Sequence, residues 1–343
     1  MAKLTERENL LMVYAGDIPE WVPIGTVVTQ SGMAPSYLNS AFKEVDKRTG
    51  NIHYDAFGIM HEVTDPRIGL MPVADVYKIT DLTKWRDQFP VKNWPKVDKL
   101  DWEYYAAKDT ALWDRKNLYQ KVAIGGNGSG STYMWMATLM GHENAMINMI
   151  TEPEAWDELL DELTTWQCDL IKKIAYYYNP DSIMMCDDNA FNKGLFMAPA
   201  SYRARIKPFH ARIAKTIAEC GCVPEIHCCG RIDDIIDDIV EIGFRCWDPA
   251  QFFNDLEGIK ARHGNKLIFH GGWDSNGPAG IAGASEEVVR AAVRASIDRC
   301  APGGGYVFTT SGMTLEWAVG TEHYNWIFDE AAKYGAEFYK KSQ

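Results

Sequence analysis

The chain has 343 residues, 46% of them hydrophobic, and a formal net charge of -12. That is ample apolar material for a large core, so the fold needs no disulfide staples. An acidic surface of this kind excludes general nucleic-acid binding, which requires basic surface, and no apolar run approaches the roughly 18 residues that suggest a membrane span.

The opening "MAKLTERENLLMVYAG" breaks any secretory leader with charges and reads as an N-terminal helical extension. Eight cysteines, spread from Cys168 to Cys300, then point to a reducing cytoplasm with thiols that are free or bound to metal. "WVPIGTVV" (21–28), "YDAFGIM" (54–60) and "YQKVAIGGNG" (119–128) read as strands. Residues 61–118, rich in Trp, Pro and charge, read as an insertion or lid. Residues 151–178 read as a long helix opened by "TEPE", with Thr151 as N-cap and Glu154 placed for a capping box.

Downstream the rhythm is clearer. "DSIMMCDD" is a strand, 201–221 a helix, "CVPEIHCCG" a strand, and "RIDDIIDDIVEIG" a helix with Ile232, Ile235, Ile236 and Ile239 on one face. "FRCWDP", "KLIFHGGWD" and "GGYVFTTSG" are strands. They alternate with helices at 254–263, at "SEEVVRAAVRASIDRC" capped by Ser285, and at 322–340. Alternating strands and amphipathic helices imply a parallel sheet. Around eight strands predict a single (β/α)8 TIM barrel domain over residues 1–343, with the N-terminal helical extension and the lid-like insertion.

In such a barrel the active site lies at the C-terminal strand ends. Those ends carry Asn127, Asp187, Asp188, Asn189, His227, Cys229, Asp248, Gln251, Trp273, Asp274 and Ser311. In His227-x-Cys229, residues i and i+2 of a strand share a face, so an imidazole and a thiolate can hold one ion. Nitrogen plus sulfur suits zinc. Cys228 then points to the helix layer as a core residue. Two ligands do not make a site. Asp187, Asp188, Gln251 and Ser311 are the candidates to complete it. Asp187 and Asp188 face opposite ways, so one enters the pocket, as a proton donor or a hydrogen-bonding group for substrate. "GGNGSG" lacks the Lys-Ser/Thr of a phosphate loop. "EIHCCG" mimics a D-x-H-x-x-G corrinoid box, but an acidic helix follows it rather than a nucleotide-tail pocket.

Taken together, "CDDNAFNKGLFMAPASYRARIKPFHARI", "EIHCCGRIDDIIDDIVEIGFRCWDPAQ", "FHGGWDSN" and "APGGGYVFTTSG" resemble the uroporphyrinogen decarboxylase superfamily, as does the opening "LTERENLLMVYAGDIPEWVPIG". The resemblance implies a (β/α)8 barrel. The true decarboxylases hold an octa-acid tetrapyrrole with an R-Q-A-G-R motif, whereas the corresponding "VPIGTVVTQSGMAPSY" has no arginine. The other branch is similar to corrinoid-dependent methyltransferases, whose H-x-C zinc motif matches His227-x-Cys229. A further family cysteine falls near Ser311, and a family glutamate near Gln251. These departures fit a methyl donor that is not a thiol.

The resemblance thus implies a methyltransferase of an anaerobic O-demethylation system. It would move a methyl group from a small methyl ether, expected to be aromatic, to the cob(I)alamin of a partner corrinoid protein. Zinc on His227, Cys229 and Ser311, or an acid at Asp187 or Asp188, would assist the leaving oxygen. Asn127, Asn189, Gln251, Trp273 and Asp274 would contact substrate. The twelve Trp and sixteen Tyr can seat a ring. A homodimer is compatible with this reading. The alternatives are a uroporphyrinogen decarboxylase and a non-catalytic small-molecule or corrinoid-binding protein on the same fold.

Overall fold

A computed structural model describes residues 4–33, 51–65, 69–125, 131–281, 283–310 and 321–342. Its frame is a curled parallel sheet of seven strands: β1 (Thr29–Met33), β2 (Tyr119–Ile124), β3 (Ser182–Cys186), β4 (Val223–His227), β5 (Cys246–Ala250), β6 (Ile268–Gly272) and β7 (Tyr306–Thr309). Spatial order equals chain order, so each strand pairs with the one before it after a crossover. That arrangement brings every strand's C-terminal end to one rim.

The expected closed barrel of eight strands is therefore replaced, among the described residues, by seven strands and a single bridge. Ile24 bridges Phe308 of β7 in parallel, and the Phe308 N–H donates to the Pro23 carbonyl at 2.9 Å. The cause lies in "WVPIGTVV". After Ile24 the chain turns helically over Gly25–Val28 and becomes a strand only at Thr29. A Cβ on Gly25 would sit 3.5 Å from Thr309 Cβ, so the turn lies against β7. A short apolar run does not say which of its residues will pair.

Prolines account for two further differences. The helix expected from Thr151 starts at Pro153 and runs to Tyr178, because Thr151 ends a separate helix, His142–Thr151. Proline fits the first turn, where its missing N–H costs nothing. The helix expected over 201–221 is likewise two, Pro199–Arg205 and Lys207–Glu219, with Pro208 at the start of the second. The helix expected at 231–243 shortens to Ile236–Glu241, though Ile232, Ile235, Ile236 and Ile239 are all buried as the periodicity requires. Glu6–Ala15 forms the N-terminal helix, opened by a Thr5–Glu8 capping box. Ser285 caps Glu286–Cys300 by accepting from Val288 N–H.

"YDAFGIM" is the turn of a hairpin rather than one strand. It links Ile52–Tyr54 to Met60–Asp65, and Gly69–Pro72 adds a third antiparallel strand. Beyond it, Trp85, Trp94 and Trp102 are buried in the same core as the sheet. Phe57 packs against Phe89, Trp94, Trp135 and Trp166. Much of the aromatic supply is therefore spent on packing. No helix among the described residues is long and apolar enough to cross a membrane.

Candidate metal centre

Strand β4 reads V-P-E-I-H, and its alternation sets the site. Glu225 and His227 share the inner face, two residues apart. Cys228, just past the strand, is completely buried, and its sulfur receives the Asn189 N–H at 3.4 Å. Cys229 returns to His227, with Sγ 3.5 Å from Nε2. The neighbouring strand β3 runs out into Asp187 and Asp188. The Asp188 Oδ1 lies 3.8 Å from His227 Nε2 and accepts the Cys229 N–H at 2.7 Å.

The donor atoms of Asp188, His227 and Cys229 all lie within 4.8 Å of one another, and each residue is half-buried. Tetrahedral zinc with bonds of ~2.0–2.3 Å needs donors ~3.3–3.8 Å apart. The His227–Cys229 separation meets that requirement, and the Asp188–His227 separation lies at its upper edge. Three protein donors from N, O and S leave one position for a small molecule, the pattern of a catalytic rather than a structural zinc site. Burial pushes the Cys229 thiol's pKa far up, and Asp188 and Asp248 push it further. A cation between these groups is what would offset that cost.

Gly230 completes the local frame. Its φ is +99°, and a Cβ there would stand 2.5 Å from the Ala190 carbonyl carbon. Only glycine lets the hairpin of Ala190–Phe191 and Gly194–Leu195 pass this close to the ligand loop. Gln251 accepts the Gly230 N–H at 2.6 Å, so it braces the backbone just after Cys229.

The two acids have different surroundings. Asp187 is buried and takes the N–H groups of Thr132, Tyr133 and Met134, the hydroxyl of Thr132, Asn189 Nδ2 and His210 Nε2. It thereby caps the helix Tyr133–Met140 from a distance. Burial opposes its charge, but His210 and Thr132 hold its carboxyl below the usual range. Asp188 alone joins the cluster. Trp273 is buried and packs edge-on to Phe308, and the Asp274 carboxylate accepts the Asn276 N–H of its own loop. Asn127 and Ser311 lie outside the described residues.

Beside the cluster a cavity of about 500 Å³ opens, lined among others by Ser31, Lys121, Met184, Asp248, His270 and Thr309. No Trp, Tyr or Phe is among its described lining residues. Large apolar rings lower the free energy most where they are wholly removed from water, in the helix layer.

The family profile of uroporphyrinogen decarboxylase (URO-D) matches residues 77–334. The chain belongs to the URO-D family. A methyltransferase from Methanosarcina mazei has a similar fold, with a TM-score of 0.68 and 13% sequence identity over 97% of this chain and 99% of that one. No curated protein matches the chain.

Within this URO-D protein, sequence reasoning missed the charged floor of the cavity. Lys121 lies 2.6 Å from Glu225 and 3.2 Å from Asp248, and Tyr14 donates to Glu225 at 2.6 Å. The available signal was a lysine inside "YQKVAI" and a glutamate inside "VPEIH". Charges at inward positions of buried strands are rare unless paired.

Proposed function

We propose that this URO-D family protein is a methyltransferase that takes a methyl group from a small methyl ether and passes it to the cob(I)alamin of a partner corrinoid protein. The observation that carries the reading is the Asp188–His227–Cys229 cluster at the C-terminal ends of neighbouring strands. The similarity in fold to the M. mazei methyltransferase supports it. The cavity supports it as well, since its described lining holds no arginine and one lysine already engaged by two carboxylates. An octa-acid porphyrinogen would find little there to neutralise it.

Zinc on these three side chains would supply Lewis-acid stabilisation of the leaving oxygen. The protein's own contribution is position. The Cys229 N–H fixes Asp188, Gln251 fixes Gly230, and the hairpin at Ala190 closes over the loop. In this reading Asp188 is a ligand rather than a proton donor, and Asp187 is a support for the helix behind it. In this reading the cob(I) centre approaches from outside, since the segment after His227 leads into the acidic helix Ile236–Glu241.

The test is elemental analysis coupled to methyl transfer. Purified protein is expected to carry near-stoichiometric zinc, lost in His227→Ala and in Cys229→Ala. With a cob(I) corrinoid protein and a panel of methyl ethers, aliphatic and aromatic, it should yield methylcobalamin and the demethylated alcohol in equal amounts. Metal-free protein with full activity refutes the metal assignment. Formation of coproporphyrinogen from uroporphyrinogen refutes the methyltransferase reading in favour of a decarboxylase.

A further inference from the structure

Below the metal cluster sits a ring of charged side chains that the proposed metal chemistry does not use. Lys121 bridges Glu225 and Asp248. His270 Nδ1 lies 3.6 Å from Asp248, and its Nε2 lies 3.4 Å from the Tyr14 hydroxyl, which donates to Glu225. The side chains of Lys121, Glu225 and His270 are 4%, 0% and 3% exposed, whereas that of Asp248 is 24% exposed. Of the charged and titratable groups lining the cavity among the described residues, Asp248 is thus the most open to a molecule in it. Lys121 is shared between Glu225 and Asp248, and of the two carboxylates only that of Asp248 is open to the cavity. Among the described residues the remaining polar lining, Thr26, Thr29, Ser31 and Thr309, is neutral. Asp188 and the Cys229 thiolate would themselves offset a divalent ion at the metal site.

Two consequences follow from elementary electrostatics. A carboxylate brought into a partly desolvated cavity beside the Asp248 carboxylate is repelled by it. An ammonium or hydroxyl group finds a fixed acceptor, and a hydrogen bond to a charged partner is about twice as strong as a neutral one. We propose that Asp248 is a specificity-determining residue: it accepts a hydrogen bond from an ammonium or hydroxyl group on the methyl donor, and the cavity excludes donors that carry a carboxylate. This inference rests on the methyl-donor reading of the site. Desolvation opposes charge on Asp248, yet Lys121 and His270 hold its carboxyl far below the ordinary range. It therefore serves as an acceptor and not as an acid.

The experiment is calorimetric titration of the full-length protein, without a corrinoid partner, with three ligands of nearly equal size: 2-methoxyethylamine, 2-methoxyethanol and methoxyacetate. The amine and the alcohol are expected to bind at least tenfold more tightly than the acid, equivalent to ~1.4 kcal/mol. Asp248→Asn should shrink that ratio to about twofold, with zinc content unchanged. The wild-type series decides by itself if the variant does not fold. Equal or tighter binding of methoxyacetate overturns the inference, as does no binding of either the amine or the alcohol. An unaltered ratio in Asp248→Asn also overturns it. So does loss of zinc from that variant, which would make Asp248 a metal ligand. Methyl transfer to cob(I)alamin is scored separately. Charge-selective binding without any transfer sinks the methyltransferase reading and leaves the selective cavity standing. Transfer from carboxylate-bearing ethers does the reverse.

Discussion

Replacing Lys121 with methionine takes the lysine from between two carboxylates. Its side chain is 4% exposed, and that of Glu225, 2.6 Å away, is fully buried. Burial opposes the lysine's charge, but Glu225 and Asp248 more than compensate and lift its pKa above the ordinary value. For Glu225, burial favours the neutral acid, while Lys121 and His270 pull its pKa below the ordinary range. Breaking a buried pair from one side costs ~3–5 kcal/mol. The Tyr14 hydrogen bond to Glu225 survives, so the lower end, about 3 kcal/mol at neutral pH, is expected. That is a large part of the ~5–15 kcal/mol by which proteins are stable.

The assay is urea unfolding followed by tryptophan fluorescence, repeated across pH. In the wild type the folded-state pKa values of Glu225 and Asp248 are depressed. Their contribution is therefore present above the ordinary values of 4.5 and 3.8 and is lost as pH falls. In Lys121→Met the buried Glu225 should instead have a raised pKa. The deficit should then be smallest below the ordinary 4.5 and grow as pH rises. Adding Glu225→Gln to Lys121→Met removes the stranded charge and should recover about half of the loss. A deficit below ~1 kcal/mol, or one that ignores pH and the second substitution, would refute the view that Lys121 is held by these two carboxylates.

Two further substitutions separate support from chemistry. Asp187→Asn removes the charge that receives three backbone N–H groups at the start of the helix Tyr133–Met140. It should cost ~2–4 kcal/mol in urea unfolding while zinc content is retained. Unchanged stability with lost zinc would place Asp187 at the metal instead. Because its folded pKa is lowered, this stabilisation should be present above the ordinary aspartate value of 3.8 and fade as pH falls below it. Cys228→Ala should lose ~1 kcal/mol of packing but keep zinc and methyl transfer. Zinc loss equal to that of Cys229→Ala would show that the two thiols act together.

Binary pattern and punctuation made much of this protein legible without coordinates. Alternating apolar runs and amphipathic helices implied the parallel sheet, because each period allows one kind of buried face. The same alternation along β4 separated Cys228 from the pair His227 and Cys229, since successive side chains leave a strand on opposite sides. It likewise separated Asp187 from Asp188. Local chemistry also located the cap at Ser285 and the buried isoleucine face of 231–243.

The remaining features depend on partners far apart in the chain. Whether "WVPIGTVV" pairs as a strand depends on β7, almost three hundred residues later, so one bridge at Ile24 and a turn at Gly25 could not be read locally. The role of Asp187 depends on the backbone at 132–134 reaching it. The charged floor joins Tyr14, Lys121, Glu225, Asp248 and His270 from the N-terminal helix and four strands. A lone lysine or glutamate in a strand shows that it must be paired if buried. Which partner neutralises it, and which carboxylate is left facing the cavity, is decided only when the sheet curls and brings those strands around one interior.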